Sequence, residues 1–229
     1  MNSDRLGQKV IPLGTFCMSA EMLKTHDMRD ASFPFDWLFC SVASVSRILR
    51  DDFAHFLDPA HLVPTLDDNG HPRCMHALYD GLSQERPTFA HRDPTRDEDR
   101  AYYERCLARF RSATRSGATF FLIEEFGEIE REFENLCDAL TLFPACRLIA
   151  VRHEQGSRAL SLVREQGRHR LFHYHASPVV AGVRLAEPAD ETYLLDEIFA
   201  LDRSRPSPNT AKPWLARLRR LFATHTHKD

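Results

Sequence analysis

The stretch "ATFFLIEEFGEIEREFENLCDALTLFPACRLIAVRHE", residues 118–154, predicts the fold. Residues 118–126 and 146–154 are short, mostly apolar runs, which is typical of strands buried in a sheet. Between them, residues 127–143 carry apolar side chains at helical spacing. Those inward-facing positions are Ile129, Phe133, Leu136 and Leu140. A strand, a helix and a second strand at this spacing predict a βαβ unit with parallel strands.

The same alternation continues on both sides of this unit. Apolar runs predict further strands, and amphipathic segments predict helices, one of them capped by Ser41 or Ser44 and another ending at Gly117. The predicted strands are 8–14 and 169–176, and the other predicted helices are 17–26, 96–117, 157–165 and 189–201. We therefore predict an α/β fold with a largely parallel central sheet and helices on both faces.

Two parts of the chain depart from this pattern. Residues 58–96 are rich in Pro, Asp, Gly and His, which predicts a loop-rich insertion, either functional loops or an interrupted pair of short elements. Residues 203–213 have the composition of a linker that follows a single domain, 1–202. Residues 214–229 predict a basic amphipathic helix, which either packs on its own domain or contacts an anionic membrane surface or a protein.

Composition narrows the range of possible functions. The formal net charge of −3 gives no electrostatic footprint for nucleic acid, so no nucleic-acid partner is predicted. The six cysteines form no C-x-x-C pair, and a single glycine in "PLGTFC" is no nucleotide-binding fingerprint, so we predict reduced thiols, no metal and no cofactor. The N-terminus lacks the apolar core of a signal peptide, which predicts a cytoplasmic protein whose membrane association would depend on its C-terminal helix.

The stretch "VIPLGTFCMSAEMLKTH", residues 10–26, places Cys17 at the start of a predicted helix. The partial positive charge and free N–H groups of a helix N-terminus stabilise a thiolate. The same N–H groups after Gly14 could hold an oxyanion, since they point toward an oxygen on the carbon under attack. Cys17 is therefore either a nucleophile or a small buried side chain that packs the helix.

A longer stretch, "IPLGTFCMSAEMLKTHDMRDASFPFDWLF" (11–39), resembles the signature of a bacterial family, the domain of unknown function 1796. The family pattern is close to S-L-G-x-x-C-x-x-A-x-x-L, then a basic residue and S-x-P-F-D-W. Pro12 stands where Ser is common. The matching residues are Leu13, Gly14, Cys17, Ala20, Leu23, Arg29, Ser32, Pro34, Phe35, Asp36 and Trp37.

The resemblance implies a papain-like cysteine peptidase, and more broadly a cysteine-dependent hydrolase or acyltransferase with Cys17 as nucleophile. A papain-like enzyme would have an α+β fold, which is the alternative to the α/β prediction. The strand and helix alternation after residue 117 is more typical of a doubly wound sheet, so it favours α/β.

A catalytic cysteine needs a base, and His91 in "TFAHRDP" is the first candidate because it falls on the family's F-x-H position. The alternatives are His71, His76, His173 and His175. Asp36 is predicted to orient the imidazole, or else to cap a turn and bind Arg29 or Arg47. Asp93 is a second candidate for orienting His91.

Residues around Cys17 are predicted to bind a small-molecule, peptide or glycan substrate. They are Gly14, Thr15, Phe16, Trp37 and Glu124, and the rule that ligands bind at the carboxyl ends of parallel strands adds Glu125, Arg152 and His153. A second hypothesis is a non-peptidase α/β module that binds or modifies a glycan or nucleotide-sugar. In that case Cys17 and the aromatic residues 33–39 belong to the core.

Overall fold

A computed structural model describes residues 9–80 and 87–203, with side chains described up to residue 200. The strands are β1 (Lys9–Pro12), β2 (Leu62–Leu66), β3 (Pro72–His76), β4 (Ala118–Glu124), β5 (Arg147–Gln155), β6 (Ala159–Gln166), β7 (His169–Ala176), β8 (Val179–Val180) and β9 (Arg184–Leu185). The α-helices are α1 (Met18–Thr25), α2 (Val42–Arg50), α3 (Asp97–Ser116), α4 (Glu128–Ala139) and α5 (Pro188–Arg203).

The main sheet has five strands in the order β1, β4, β5, β7, β6. The first four are parallel, and β6 pairs antiparallel with β7. All seven residues of β4 are buried. Because successive side chains of a strand point to opposite faces, both faces of β4 are covered. The predicted α/β fold with a largely parallel sheet is confirmed.

An aromatic cluster joins the sheet to the segment that follows α1. Phe120 of β4 stacks on Phe110 of α3, with ring centroids 5.8 Å apart, and Phe110 contacts Phe53 at 5.0 Å. Phe53 in turn contacts Phe35 at 5.5 Å. The motif "FPFDW" is thus anchored in the core through Phe35, which fixes the residues beside it relative to β4.

The predicted helix at 157–165 is wrong, because this stretch forms strand β6. It is an edge strand with most of its side chains exposed, so its apolar residues show no buried helical face. A two-residue connection that contains Gly167, at φ +62°, turns the chain back into β7. Glycine adopts this left-handed conformation without a steric penalty, and such a turn is typical of a hairpin.

The insertion at 58–96 contains a pair of short elements, as one of the two alternatives predicted. A single 3-10 turn, Pro59–His61, leads into β2, which pairs antiparallel with β3. Phe89 then forms an antiparallel bridge with Cys74 of β3. The last part of the insertion, just before His91, is therefore paired with the β2–β3 hairpin.

Residues up to Leu194 form one compact unit, and a second unit begins at Leu195. The described part of that second unit, up to Arg203, is the C-terminal half of α5. The predicted linker beyond Arg203 and the predicted helix at 214–229 lie outside the described residues. Among the helices that the structure describes, none is both long and apolar enough to cross a membrane.

Candidate active site

The turn between β1 and α1 presents Cys17. The N–H of Leu13 donates to the carbonyl of Phe121 at 2.8 Å, which extends the pairing of β1 with β4 beyond Pro12. Cys17 then occupies the N-cap of α1, and its carbonyl accepts the N–H of Glu21 at 2.9 Å. The first N–H groups of a helix have no acceptor within the helix, and Cys17 stands at this end of α1.

Gly14 is required by a close approach of two backbone segments. A Cβ atom at Gly14 would lie 2.4 Å from the carbonyl oxygen of Phe35. The Cys40 thiol donates to the Gly14 carbonyl at 3.2 Å, and the Cys40 N–H donates to the Thr15 carbonyl at 3.2 Å. The turn that carries Cys17 is therefore held against residues 35–40.

His91 meets Cys17 across this turn. The Cys17 Sγ lies 3.3 Å from the His91 Nε2, although 74 positions separate the two residues in the chain. The two residues before Ala90 and His91 are held by backbone hydrogen bonds. The carbonyl of Thr88 accepts the N–H of Phe39 at 3.0 Å, and Phe89 forms the bridge with Cys74. Cys17 is 4% exposed, whereas His91 as a whole residue is exposed.

The surroundings of His91 favour a neutral imidazole. Burial of part of the ring lowers the pKa of His91 below its ordinary value, and the positive charge of Arg73 lowers it further. The ring lies 5.8 Å from Phe39 and 6.3 Å from Trp37, centroid to centroid. Within the described part of the chain, no carboxylate binds the Nδ1 of His91.

Asp36 binds Arg29, which was one of the two predicted alternatives. An Arg29 Nη2 lies 2.5 Å from the Asp36 Oδ2, and the N–H of Phe33 donates to the same oxygen at 2.9 Å. Burial raises the pKa of Asp36 to about 7, against the opposing effect of Arg29. Asp36 therefore holds the turn before Trp37, and it makes no direct contact with His91.

Asp93 and the other candidate histidines have partners elsewhere. Asp93 accepts the N–H of Thr95 at 3.0 Å in the turn before α3. Both ring nitrogens of His76 are engaged by backbone groups. The remaining pairs are His71 with Asp67, His173 with Glu130, and His175 with Glu154. Of the predicted bases, the structure brings His91 to Cys17.

A scan against family models supplies an independent observation. The model described as "Putative papain-like cysteine peptidase (DUF1796)" matches residues 8–145, which is more than half of the chain. The chain belongs to this family. The match spans the Cys17 turn, the "FPFDW" motif and His91. No curated protein and no solved structure matches the chain significantly.

Asp80 supports the segment that carries His91, and the sequence did not single it out. Its carboxylate accepts the N–H of Thr88 at 2.9 Å and also binds the Thr88 hydroxyl. The same carboxylate accepts the N–H of His76 at 2.5 Å. Asp80 thus ties the segment leading to His91 to the end of β3. A single aspartate in a loop-rich stretch carries no motif, so no sequence signal distinguished it.

Glu124 lies at the carboxyl end of β4, as predicted, but its carboxylate is engaged by the backbone. Its Oε1 accepts the N–H of Ile129 at 3.1 Å, and its Oε2 accepts the N–H of Phe126 at 2.5 Å. Glu124 is also buried. These contacts cap the first turn of α4, which leaves the carboxylate little capacity for a substrate.

The aromatic side chains beside Cys17 form an uninterrupted row. The ring of Phe16 contacts Phe39 at 5.0 Å and Phe126 at 5.1 Å, and Phe39 leads on to His91. Phe126 is 61% exposed, so the row reaches the surface. We call Phe16, Phe39 and Phe126 the aromatic row. Thr15 is buried beside it, and its hydroxyl has no partner among the residues described.

Arg152 and His153, two more of the predicted residues, both lie within β5. Arg152 pairs in register with Glu124, and its guanidinium packs 3.6 Å from the position of a Cβ on Gly127. His153 is buried and donates its Nε2–H to the carbonyl of Ser177 at 3.0 Å. Burial lowers the pKa of His153, which keeps this ring neutral and structural.

Proposed function

We propose that this member of the DUF1796 family is a cysteine-dependent acyl-transfer enzyme, a hydrolase or acyltransferase of the peptidase type. Cys17 is the nucleophile and His91 the general base. The observation that carries the proposal is the 3.3 Å separation of the Cys17 Sγ and the His91 Nε2 at the N-terminus of α1. A nucleophile and a base within hydrogen-bond reach are the minimum that this chemistry requires.

The reaction has two steps, acylation of Cys17 and deacylation of the resulting thioester. The Nε2 of His91 takes the thiol proton, and the sulfur of Cys17 forms a bond to the substrate carbonyl carbon. The first N–H groups of α1 stabilise the oxyanion. The intermediate collapses, and the leaving group departs with the proton from His91. Water or an acceptor then attacks the thioester while His91 takes its proton, and the thiol of Cys17 is regenerated.

Among the residues that the structure describes, no carboxylate contacts His91, so the proposal gives the base no such partner. Its low pKa keeps the imidazole neutral and able to accept a proton near pH 7. Trp37 and Phe39 both contact the His91 ring, and Arg29 lies 5.4 Å from the Trp37 ring centroid. Asp36 is thus a positioning residue that acts through Arg29 and the turn before Trp37.

The substrate approaches over the exposed face of His91, because Cys17 itself is only 4% exposed. Gly14 brings the backbone of the Cys17 turn close to the acyl group. Phe16 and Trp37 flank the pair, and they favour an apolar acyl side chain over a charged one. Peptides with an apolar residue beside the scissile carbonyl are the substrates to test first.

Thiol labelling tests the pair directly. Burial raises the pKa of the other five cysteines, so they serve as internal controls in the same chain. In the native protein an electrophilic probe should label Cys17 at least about ten times faster than any of them, and His91→Ala should slow this labelling about tenfold or more. His71→Ala, which removes an exposed imidazole, is the matched control.

Equal labelling of Cys17 in the native and His91→Ala proteins would refute the pairing. The low exposure of Cys17 favours the alternative of a non-peptidase module for a glycan or nucleotide-sugar. In that alternative Cys17 packs α1 against the sheet. Catalytic turnover that survives Cys17→Ser would support the alternative and remove Cys17 from the mechanism.

A further inference from the structure

Three side chains before β2 converge on one point at the surface. The Nδ1 of His55 lies 4.0 Å from the Oδ2 of Asp58, and the Nε2 of His61 lies 3.9 Å from the same oxygen. One potential ligand atom from each residue lies within 4.8 Å of the other two. This cluster shares no residue with the Cys17 and His91 pair.

The two imidazoles are not hydrogen-bonded to the carboxylate of Asp58. A hydrogen bond between an imidazole and a carboxylate is about 2.7–3.2 Å long, which is clearly shorter than the distances observed. Ligand atoms around a tetrahedral zinc ion, at bond lengths near 2.0–2.2 Å, lie about 3.4 Å apart. Both imidazole distances to the Asp58 Oδ2 exceed this value by only about half an ångström.

The carboxylate of Asp58 is already oriented for this role. Its Oδ1 accepts the N–H of Ala60 at 3.0 Å, which caps the 3-10 turn. This bond turns the Oδ2 toward His55 and His61. A hydrogen bond that orients a ligating carboxylate is a usual feature of metal sites.

The backbone on both sides of the cluster is also held in place. The carbonyl of His55 accepts the Nε2–H of His76 at 2.9 Å, and the carbonyl of His61 accepts the N–H of Ala77 at 2.9 Å. The Nδ1 of His76 accepts the N–H of Leu78 at 3.3 Å. Because both of its ring nitrogens are hydrogen-bonded to the backbone, His76 positions the backbone of His55 and is not a ligand.

We propose that His55, Asp58 and His61 bind a divalent first-row transition metal ion, with Zn²⁺ as the best fit. Two imidazoles and one carboxylate suit zinc, cobalt and nickel better than Ca²⁺ or Mg²⁺, which prefer oxygen ligands. Three protein ligands leave one position for water or an exogenous group. The spacing H-x-x-D-x-x-H matches no common Cys and His zinc motif, which is why the sequence predicted no metal.

Metal titration of the full chain, purified without a histidine tag and treated with a chelator, tests the site. Calorimetry with Zn²⁺ and the visible absorption of bound Co²⁺ should report one equivalent at micromolar affinity. His61→Ala should weaken binding at least about tenfold. Asp58→Asn should also weaken it while preserving the acceptor for Ala60. His71→Ala, at the Asp67 and His71 pair of the β2 to β3 hairpin, should leave the affinity unchanged.

Two results would overturn the site. One is Zn²⁺ binding of unchanged affinity in the His55→Ala/His61→Ala double variant. The other is no binding by the native chain at a Zn²⁺ concentration about 100 times the expected micromolar Kd. His55 is half exposed, so its replacement should leave folding intact, and circular dichroism of each variant verifies this. The readout is binding alone, so its failure leaves the thiol chemistry of Cys17 untouched.

Discussion

Replacement of Gly14 by alanine should test how the nucleophile turn is held. The new Cβ would lie 2.4 Å from the carbonyl oxygen of Phe35 and 3.0 Å from that of Phe16. A real Cβ essentially never approaches another heavy atom closer than 3.0 Å, so the Phe35 carbonyl must move by at least 0.6 Å. Both opposing atoms belong to the backbone, and no side-chain rotation relieves the overlap.

The cost follows from what surrounds this contact. Phe35 is fully buried in the aromatic cluster, and Asp36 next to it is bound to Arg29. Overpacking of a well-packed interior costs about 1–3 kcal/mol, and the rigid backbone on both sides favours the upper end. In a chain of this length, about 3 kcal/mol lowers the melting temperature by roughly 6–12 °C.

Thermal unfolding followed by circular dichroism measures this effect, with Gly156→Ala as the matched control. A Cβ at Gly156 would make only ordinary contacts of 3.5 Å with His175, so its melting temperature should change by no more than about 2 °C. Gly14→Ala should also slow probe labelling of Cys17, since the turn moves away from His91. Equal melting temperatures for the two variants would refute the reasoning.

Four further predictions concern single side chains. Asp36→Ala leaves the Arg29 guanidinium, 8% exposed, without its carboxylate, so urea unfolding should show a loss of about 3–5 kcal/mol. Because burial raises the pKa of Asp36 from 3.8 to about 7, the folded chain binds this proton more tightly than the unfolded chain, and the contribution of Asp36 to stability falls as pH rises across that range. Asp36→Asn should remove that slope from unfolding curves measured between about pH 4 and 7; an unchanged slope contradicts the assignment. Because the pKa of His91 is lowered, probe labelling of Cys17 should persist below the ordinary pH range of histidine titration and decline only at lower pH. Arg73→Ala should move the midpoint of this pH profile upward. A midpoint that stays in place would exclude Arg73 as a cause of the lowered pKa. Glu124→Ala removes the carboxylate that accepts the backbone N–H groups of Phe126 and Ile129, and it should cost about 1–2 kcal/mol in thermal unfolding, with Glu125→Ala as control. Slowed thiol labelling without a loss of stability would instead indicate a role in the site.

Local patterns predicted most of the secondary structure. The strands β4 and β5 were recognisable because central parallel strands are apolar over their whole length, and α3 and α4 because each presents one apolar stripe. The edge strand β6 was predicted as a helix. Its side chains are mostly exposed, so the pattern that distinguishes a strand from a helix is missing there.

The sequence by itself determined the local elements and nominated Cys17 and His91 through the chemistry of a thiol, an imidazole and the DUF1796 motif. Only the tertiary structure decided that these atoms lie 3.3 Å apart, that Asp36 binds Arg29, and that Asp80 holds the segment before His91. Cys17 and His91 are 74 positions apart in the chain, whereas the other two contacts span seven and eight positions. All three are contacts of the folded chain. They depend on the order of the strands and the packing of the aromatic cluster, which no local pattern of residues encodes.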